Sequence, residues 1–512
     1  MSHTRKILQG AASNVARVVL SMVVGLVLPP LLVHRLVPAE YGAWVLILQC
    51  SGYVGLLDFG LQTAIAKFVA EHNAIDDRAA SGRVLSSAFA ILCVSALLGS
   101  LIIVLIAWRV PELFQQMPAY LIGSVRVGIL VVGLSTVIAL PFGSFLAAFT
   151  GLQRYGFPTV LSMLSKILSS ASLAVLLLMH GRLTQLVWVL AAFNVATAIG
   201  QFLGWKAYAS DRVGFGVLFI NKDTAVRLVK YAGVLSIWMF AGLLISGLDV
   251  LIVGRFDYRN TGYYGLASTV TNFMLLVIGG LFGPLLPAIS SLQAEQTHNQ
   301  IGEFTIKSTR YCALLLCFFG IPLVFGAYPL LRLWVGHNYA AQTALFLQVL
   351  VLGNCIRQLG YPYSLAVIAT GKQHLATISG VVEAVVNICL SLYLVQRIGA
   401  VGVAIGTVVG AFVSLGLHLV LSMRYTQSTI AMSRWNFVVQ GWLRPLLCIV
   451  PSMLLYPAWD RFAMLPWSLP WLLLWGATTL MILLKIGLTP DDRDRLASAL
   501  SKLTRPRYAG AT

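Results

Sequence analysis

The chain has 512 residues, a formal charge of +18, 58% apolar and 10% charged side chains, and a mean hydropathy of +0.85. That is more apolar side chain than a soluble core hides, which excludes a water-soluble enzyme or nucleic-acid-binding domain and makes this an integral membrane protein. Its apolar runs are continuous over roughly 20 residues rather than alternating over ~10, which excludes a β-barrel and predicts an all-α polytopic membrane fold.

In chain order, Arg5 and Lys6 precede an apolar run that continues into Pro29-Pro30 without a small-residue cleavage site, so it reads as a retained first helix. Spans are predicted at 14–33, 43–62, 84–107, 126–149, 157–178 and 184–204, followed by a polar stretch, 205–228. Further spans fall at 229–254, 264–288, 311–333, 343–369, 376–395, 401–423, 438–457 and 468–487, about fourteen in all. Beyond them, Thr489-Pro490-Asp491-Asp492 reads as the cap and first turn of a short helix on the membrane surface, with Leu496, Leu500 and Leu503 on one side. The seven cysteines lie in or beside apolar runs with no CxxC spacing, as core-filling thiols; no metal site and no cofactor are expected.

With the N-terminus inside, 22 of the 35 Lys and Arg fall on the inner side, nine outside, and Arg17, Lys166, Arg357 and Arg444 within spans. The excess places both termini in the cytoplasm and explains much of the net charge as a topology signal. The basic stretch 502–508, KLTRPRY, is read as serving the same orientation, with attraction to anionic lipid as its alternative role.

The punctuation repeats. Thr150, Gly151 and Gln153 recur as Thr370, Gly371 and Gln373, and Leu31, Val33, Arg35 and Gly42 recur as Leu251, Val253, Arg255 and Gly262, always 220 positions apart. Spans one to six and seven to twelve are therefore read as parallel copies of one six-helix unit, since an even number of spans keeps both the same way up. The expected division is an N-lobe over 1–210, a C-lobe over 211–430, and a helix hairpin with a cytoplasmic tail over 431–512. Thr-Gly-x-Gln is expected to close the fourth span of each lobe, where glycine suits a helix end. Gly402, Gly406 and Gly410 form a small-residue stripe for close helix packing.

Charged side chains at membrane depth are the default site candidates: Arg17, Asp58, Lys166, Asp249, Arg357, Glu383 and Arg444. Arg357 breaks the repeat, since its counterpart is Val137, and it is accompanied by Asn354, Gln358 and Pro362; its alternative role is a buried ion pair with Glu383. Lys166 lies among Ser162, Ser165, Ser169 and Ser170, a setting read as a cavity position. Snorkelling to the nearby membrane surface competes for Arg17 and Arg444. Asp58 and Asp249 are open between proton or sodium sites, interhelical hydrogen-bond partners and counterions. Gly371-Lys372 lacks the glycine of a phosphate loop, no HExxH or GxSxG occurs, and no outward loop approaches domain size. A transporter without catalytic residues is the class left.

Residues 35–71, RLVPAEYGAWVLILQCSGYVGLLDFGLQTAIAKFVAE, carry Tyr41-Gly42 after the first helix and Leu57-Asp58-Phe59-Gly60-Leu61 at the end of the second. These marks, with TGYYGLASTV at 261–270, resemble the polysaccharide-biosynthesis flippases of the multidrug/oligosaccharidyl-lipid/polysaccharide exporter superfamily. The resemblance implies two six-helix lobes rocking about a central cavity in the bacterial plasma (inner) membrane. The cargo it implies is a polyprenyl-pyrophosphate-linked oligosaccharide moving from the cytoplasmic to the outer leaflet for O-antigen or exopolysaccharide assembly. Arg17, Lys166 and Arg357 would then meet the pyrophosphate, and Asp58, Asp249 and Glu383 would be counterions or coupling sites. Membrane lipid, a polysaccharide polymerase and glycosyltransferases are the implied partners, and nucleic acid is not. Three readings stay beside it: an ion-coupled multidrug antiporter of the same superfamily, a cell-wall precursor flippase, and a non-transporting scaffold of a polysaccharide assembly.

Overall fold

The computed structural model describes residues 3–295, 298–450, 468–487 and 493. The cap at 489–492, the surface helix carrying Leu496, Leu500 and Leu503, and the basic stretch 502–508 lie outside the described residues, as does much of the last predicted hairpin. Within them the chain is helical, with no strand. The helices are α1 (His3–Arg35), α2 (Pro38–Gly52), α3 (Leu61–Ala74), α4 (Arg78–Trp108), α5 (Val110–Leu113), α6 (Ala119–Gly151), α7 (Gly156–Leu178), α8 (Leu183–Tyr208) and α9 (Lys222–Gly242). They continue as α10 (Asp249–Phe256), α11 (Thr261–Phe282), α12 (Leu285–Ala294), α13 (His298–Phe325), α14 (Ala327–Val335), α15 (His337–Leu359), α16 (Tyr361–Ala369), α17 (Gln373–Ile398) and α18 (Ala400–Leu417), with shorter pieces beyond.

Eleven helical segments among the described residues are long and apolar enough to cross a membrane. The seventh predicted span is not one of them; there α9 gives way to a wide π turn over Leu243–Gly247 before α10 begins. A π turn frees backbone carbonyls from the ladder. Here Gly247 O accepts from Tyr53 Oη and from Gln49 Nε2 at 3.0 Å.

The repeat is written in the element boundaries. The segments Pro38–Ala74 and Tyr258–Ala294 are each 37 residues long and start 220 positions apart. Helices α7 and α17 end at Leu178 and Ile398, at the same offset. The correspondence thus persists through the fifth span, where residue identity between the copies has faded. Both second spans are interrupted. Phe59 and Gly60 adopt left-handed conformations (φ 52° and 74°) between α2 and α3, and Gly283-Pro284 separates α11 from α12. Equivalent residues also meet directly. A Cβ on Gly262 would lie 3.2 Å from Gly42 N, and one on Gly265 would lie 2.6 Å from a Val45 methyl, so only glycine lets these helices approach so closely.

The repeated Thr-Gly differs between copies. Gly371 takes the left-handed conformation after the fourth span of the second copy (φ 77°), as a helix-ending glycine does. In the first copy Gln153 takes it (φ 55°), and Gly151 is the last helical residue. A Cβ on Gly151 would lie 2.7 Å from Ala66 O, so this glycine serves the packing of α6 on α3.

The chain packs as two compact units, Met1–Thr269 with Ile388–Val403, and Val270–Asn387 with Ala404–Thr512. In the first, Leu61, Ile65, Phe68 and Val69 of α3 join Leu85 and Leu92 of α4, Phe145 and Phe149 of α6, and Trp205 of α8 in one apolar core. In the second, Cys317, Ile321, Cys448, Trp475 and Leu483 form a smaller cluster.

Candidate functional site

Six of the seven intramembrane charges singled out above divide by how each is balanced. On α7, the exposed apolar residues Val160, Leu164, Leu168, Val175 and Leu178 recur at three-, four- and seven-residue steps and mark the face presented to lipid. Lys166 belongs to a different face. Thr159, Ser162, Lys166, Ser169, Leu173 and Leu177 follow one another at three- and four-residue steps, and Leu173 and Leu177 are each 1% exposed. The lysine therefore lies on the inner face of its helix, yet its side chain is exposed. Its ammonium has no ion pair or hydrogen bond among the described residues. Ser162 and Ser169 donate to Thr159 O and Lys166 O of their own helix, which leaves their oxygens as acceptors along this face.

Arg17 has the same placement on α1. The exposed Val19, Val23, Leu26 and Val27 mark the lipid face, and Arg17 lies opposite, in register with Ser21, Val24, Leu28 and the buried Leu32. It lines a cavity of about 400 Å³ with Gln62, Thr63, Thr150, Tyr155 and Thr159, between α1, α3, α6 and the first turn of α7. Thr150, the repeated punctuation, is part of this wall.

Arg357, at the end of α15, is committed. Its Nε lies 2.5 Å from Glu383 Oε1 of α17, and its Nη1 donates to Asn354 Oδ1 at 2.8 Å. The ion pair is buried, with Glu383 3% and Arg357 16% exposed. Arg357 Nη2 is buried without a hydrogen-bond partner, as is Gln358 Oε1. Glu383 is walled in by α18: a Cβ on Gly410, the last glycine of the stripe, would lie 3.3 Å from Glu383 O. The matching level of the first copy is neutral, with Asn194 Nδ2 donating to Ser135 Oγ at 3.0 Å.

Asp58 and Asp249 act locally. Asp58, buried at the break in the second span, accepts from Gln62 N at 3.1 Å and caps the start of α3. Asp249, buried at the first turn of α10, accepts from Tyr264 Oη at 3.0 Å. Among the described residues no three His, Cys, Asp or Glu side chains gather as a metal site.

The structure thus brings Arg357 to Glu383 and brings Arg17 to a polar cavity at one end of the face that carries Lys166. Sequence reasoning singled out neither Gln62, Tyr155 and Thr159 nor the pair Gln49 and Tyr53. The Thr159-Ser162-Lys166-Ser169 spacing was the available signal for the first group. Nothing local marks Gln49 and Tyr53, because their acceptor lies almost 200 residues away.

Residues 7–293, more than half the chain, match the sequence profile of the family described as "Polysaccharide biosynthesis protein". A curated relative, the "Probable low-salt glycan biosynthesis flippase Agl15" of Haloferax volcanii, is 26% identical over 248 residues, 46% of this chain and 48% of that one. The chain thus spans about half the length of that relative. The fold is shared with solved transporters. The lipid II flippase MurJ in an inward closed conformation gives a TM-score of 0.66 at 14% identity, covering 93% of this chain and 97% of that one. An inward-facing multidrug resistance MATE family transporter of the MOP superfamily gives 0.66 at 13% identity, covering 80% and 96%.

Proposed function

The chain belongs to the polysaccharide biosynthesis protein family, and from that premise we propose that it is a flippase for polyprenyl-pyrophosphate-linked oligosaccharide. It carries this cargo from the cytoplasmic to the outer leaflet of the plasma membrane, supplying a polysaccharide polymerase with units that glycosyltransferases have built. Both termini lie in the cytoplasm, and two six-helix lobes alternate access to a central cavity. The protein performs no bond chemistry. Its task is to replace the hydration of a pyrophosphate that hydrocarbon excludes, while the prenyl tail remains in lipid.

The observation that carries this reading is Lys166, a cation on the inner face of α7 with no carboxylate partner among the described residues and with hydroxyl oxygens on either side along the helix. A cation held for structure is ordinarily neutralised where it lies, as Arg357 is; one left open at membrane depth suits a transient anion. Arg17 supplies a second positive charge, and Arg357 contributes through Nη2, its one nitrogen without a hydrogen-bond partner among the described residues. Asp58 caps the start of α3, Asp249 accepts from Tyr264 of α11, and Glu383 is the counterion of Arg357.

The test uses purified protein in liposomes, a fluorescent short-chain polyprenyl-pyrophosphate oligosaccharide and a membrane-impermeant quencher that reports leaflet exchange. Protein-dependent exchange that collapses in Lys166→Ala and returns in Lys166→Arg is expected. Exchange at the empty-liposome rate, with and without an ion gradient, removes the flippase reading and favours drug antiport or a scaffold.

A further inference from the structure

The cavity beside Arg17 and the lysine on α7 are two places on one helix face. Thr159 lines the cavity, and Lys166 follows seven residues later. At 1.5 Å per residue they are separated by about 10 Å along the helix axis, more than a single phosphate group spans. The stretch between them is polar: Ser162 lies on the same face, and Ser169 continues it beyond Lys166. Two places at that separation on one face can be occupied in succession by a single phosphate group.

The two places also differ in chemistry. Lys166 offers a compact point charge among serine oxygens, which suits any phosphate. The cavity offers a planar guanidinium, the Gln62 amide, the hydroxyls of Thr63, Thr150 and Thr159, and the phenol of Tyr155, with no carboxylate among its lining residues. A planar cation beside amide and hydroxyl groups, with an aromatic ring in the wall, matches a phosphate that carries a sugar. At about 400 Å³ the cavity is in the size range of small-molecule sites and too small for a long oligosaccharide.

We propose that this cavity is a docking site for the glycosyl pyrophosphate end of the cargo, occupied before the head group advances along α7 to Lys166. The proposal rests on the flippase reading and adds to it a separate binding step, with Gln62, Tyr155 and Thr159 as residues that select a sugar-bearing phosphate. Its chemistry is shared by two sources, a prenyl-linked sugar pyrophosphate and a nucleoside diphosphate sugar.

Binding and exchange are therefore measured separately on the full chain. The binding probes are a geranyl-pyrophosphate-linked disaccharide, geranyl pyrophosphate without sugar, and UDP-N-acetylglucosamine, each titrated calorimetrically into detergent-solubilised protein. Arg17→Ala and Thr159→Val are expected to weaken the disaccharide probe about tenfold or more, the loss of a charge-assisted contact. Arg17→Lys, which retains the charge but not the planar fork, is expected to fall between. Lys166→Ala should still bind the disaccharide probe while its exchange in liposomes falls about tenfold or more. Tyr155→Phe should narrow the preference for the disaccharide over geranyl pyrophosphate. Binding of the prenyl-linked probe alone assigns the site to the lipid-linked source, and equal binding of UDP-N-acetylglucosamine assigns it to the glycosyl pyrophosphate regardless of carrier. Unchanged affinity in well-folded Arg17→Ala and Thr159→Val overturns the docking site even where exchange is intact. Normal binding by a protein that exchanges nothing removes the flippase reading and leaves the docking site.

Discussion

Replacing Arg357 alone, Glu383 alone, and both together separates a structural ion pair from a substrate contact. With Nε and Oε1 2.5 Å apart and Glu383 only 3% exposed, removal of one partner strands a charge in surroundings that cannot solvate it. For buried pairs that costs about 3–5 kcal/mol, whereas replacing both partners by apolar groups of similar size is close to neutral. The two single variants should also be unequal. A guanidinium left by Glu383→Leu keeps Asn354, but a carboxylate left by Arg357→Met loses the nitrogen that lies against it. Arg357→Met should therefore be the less stable of the two, lowering the thermal midpoint in detergent by roughly 5 °C or more. The double variant should recover most of that loss, and a double-mutant cycle should return a coupling of about 2 kcal/mol or more. Single variants that both melt with the unaltered protein would refute the reasoning, because no energy would then reside in the pair. The same set decides the transport role of Arg357. If the double variant folds and exchanges lipid-linked oligosaccharide at the normal rate, the guanidinium holds α15 to α17 and the head group does not need it. If it folds and exchange stops, Nη2 reaches the cargo.

Three further outcomes follow from the geometry. Lys166→Ala should cut leaflet exchange about tenfold or more with the thermal midpoint unchanged, since the side chain has no partner to lose among the described residues; a matching fall in stability would mark it as structural. Gly151→Ala should cost about 1–3 kcal/mol in detergent unfolding, because its methyl meets Ala66 O at 2.7 Å and Val69 Cβ at 2.8 Å, and Gly371→Ala should cost about 1 kcal/mol from its left-handed backbone alone; equal costs would contradict the different roles assigned to the two glycines. Tyr53→Phe should be mild while Gln49 still serves Gly247 O, and the Tyr53→Phe, Gln49→Leu pair should lower the thermal midpoint more than the two singles combined, because only the pair leaves the π-turn carbonyl unserved.

The helical class, the positions of most spans and the 220-residue repeat were legible in sequence because each depends on runs or spacings within one segment. The broken seventh span was not. Leu243–Gly247 reads as ordinary apolar helix, and the hydrogen bonds received by Gly247 O come from Gln49 and Tyr53, residues a local pattern cannot connect to it. The repeated Thr-Gly was legible as a repeat and misleading as a cause. One chemical sign ends a helix at Gly371 and admits a neighbouring helix at Gly151, and only the φ angle and the approach of Ala66 O tell them apart. Among the charges, the sequence marked Arg357 and Lys166 alike as basic groups at membrane depth. What separates them is a carboxylate 26 residues away in one case and an open inner face in the other.

That separation bears on how a repeated fold serves a cargo with no symmetry. Two identical lobes would offer a pyrophosphate two equivalent cationic sites, and a head group bound equally to both gains affinity without a direction of travel. Here the copies share helix boundaries and differ in wiring. The first leaves Lys166 and the Arg17 cavity on inner faces, and its counterpart of Arg357 is Val137 beside the neutral Ser135 and Asn194. The second places its buried arginine against Glu383 under a glycine-packed helix. On the proposed reading the anion therefore belongs mainly to the first copy. The division has a direct consequence for mutation. Transport should be lost through a substitution at Lys166 that leaves stability intact, and stability should be lost through single substitutions at Arg357 and Glu383 that their joint replacement restores. A protein in which the two sets behaved alike would have its head-group site shared between the copies.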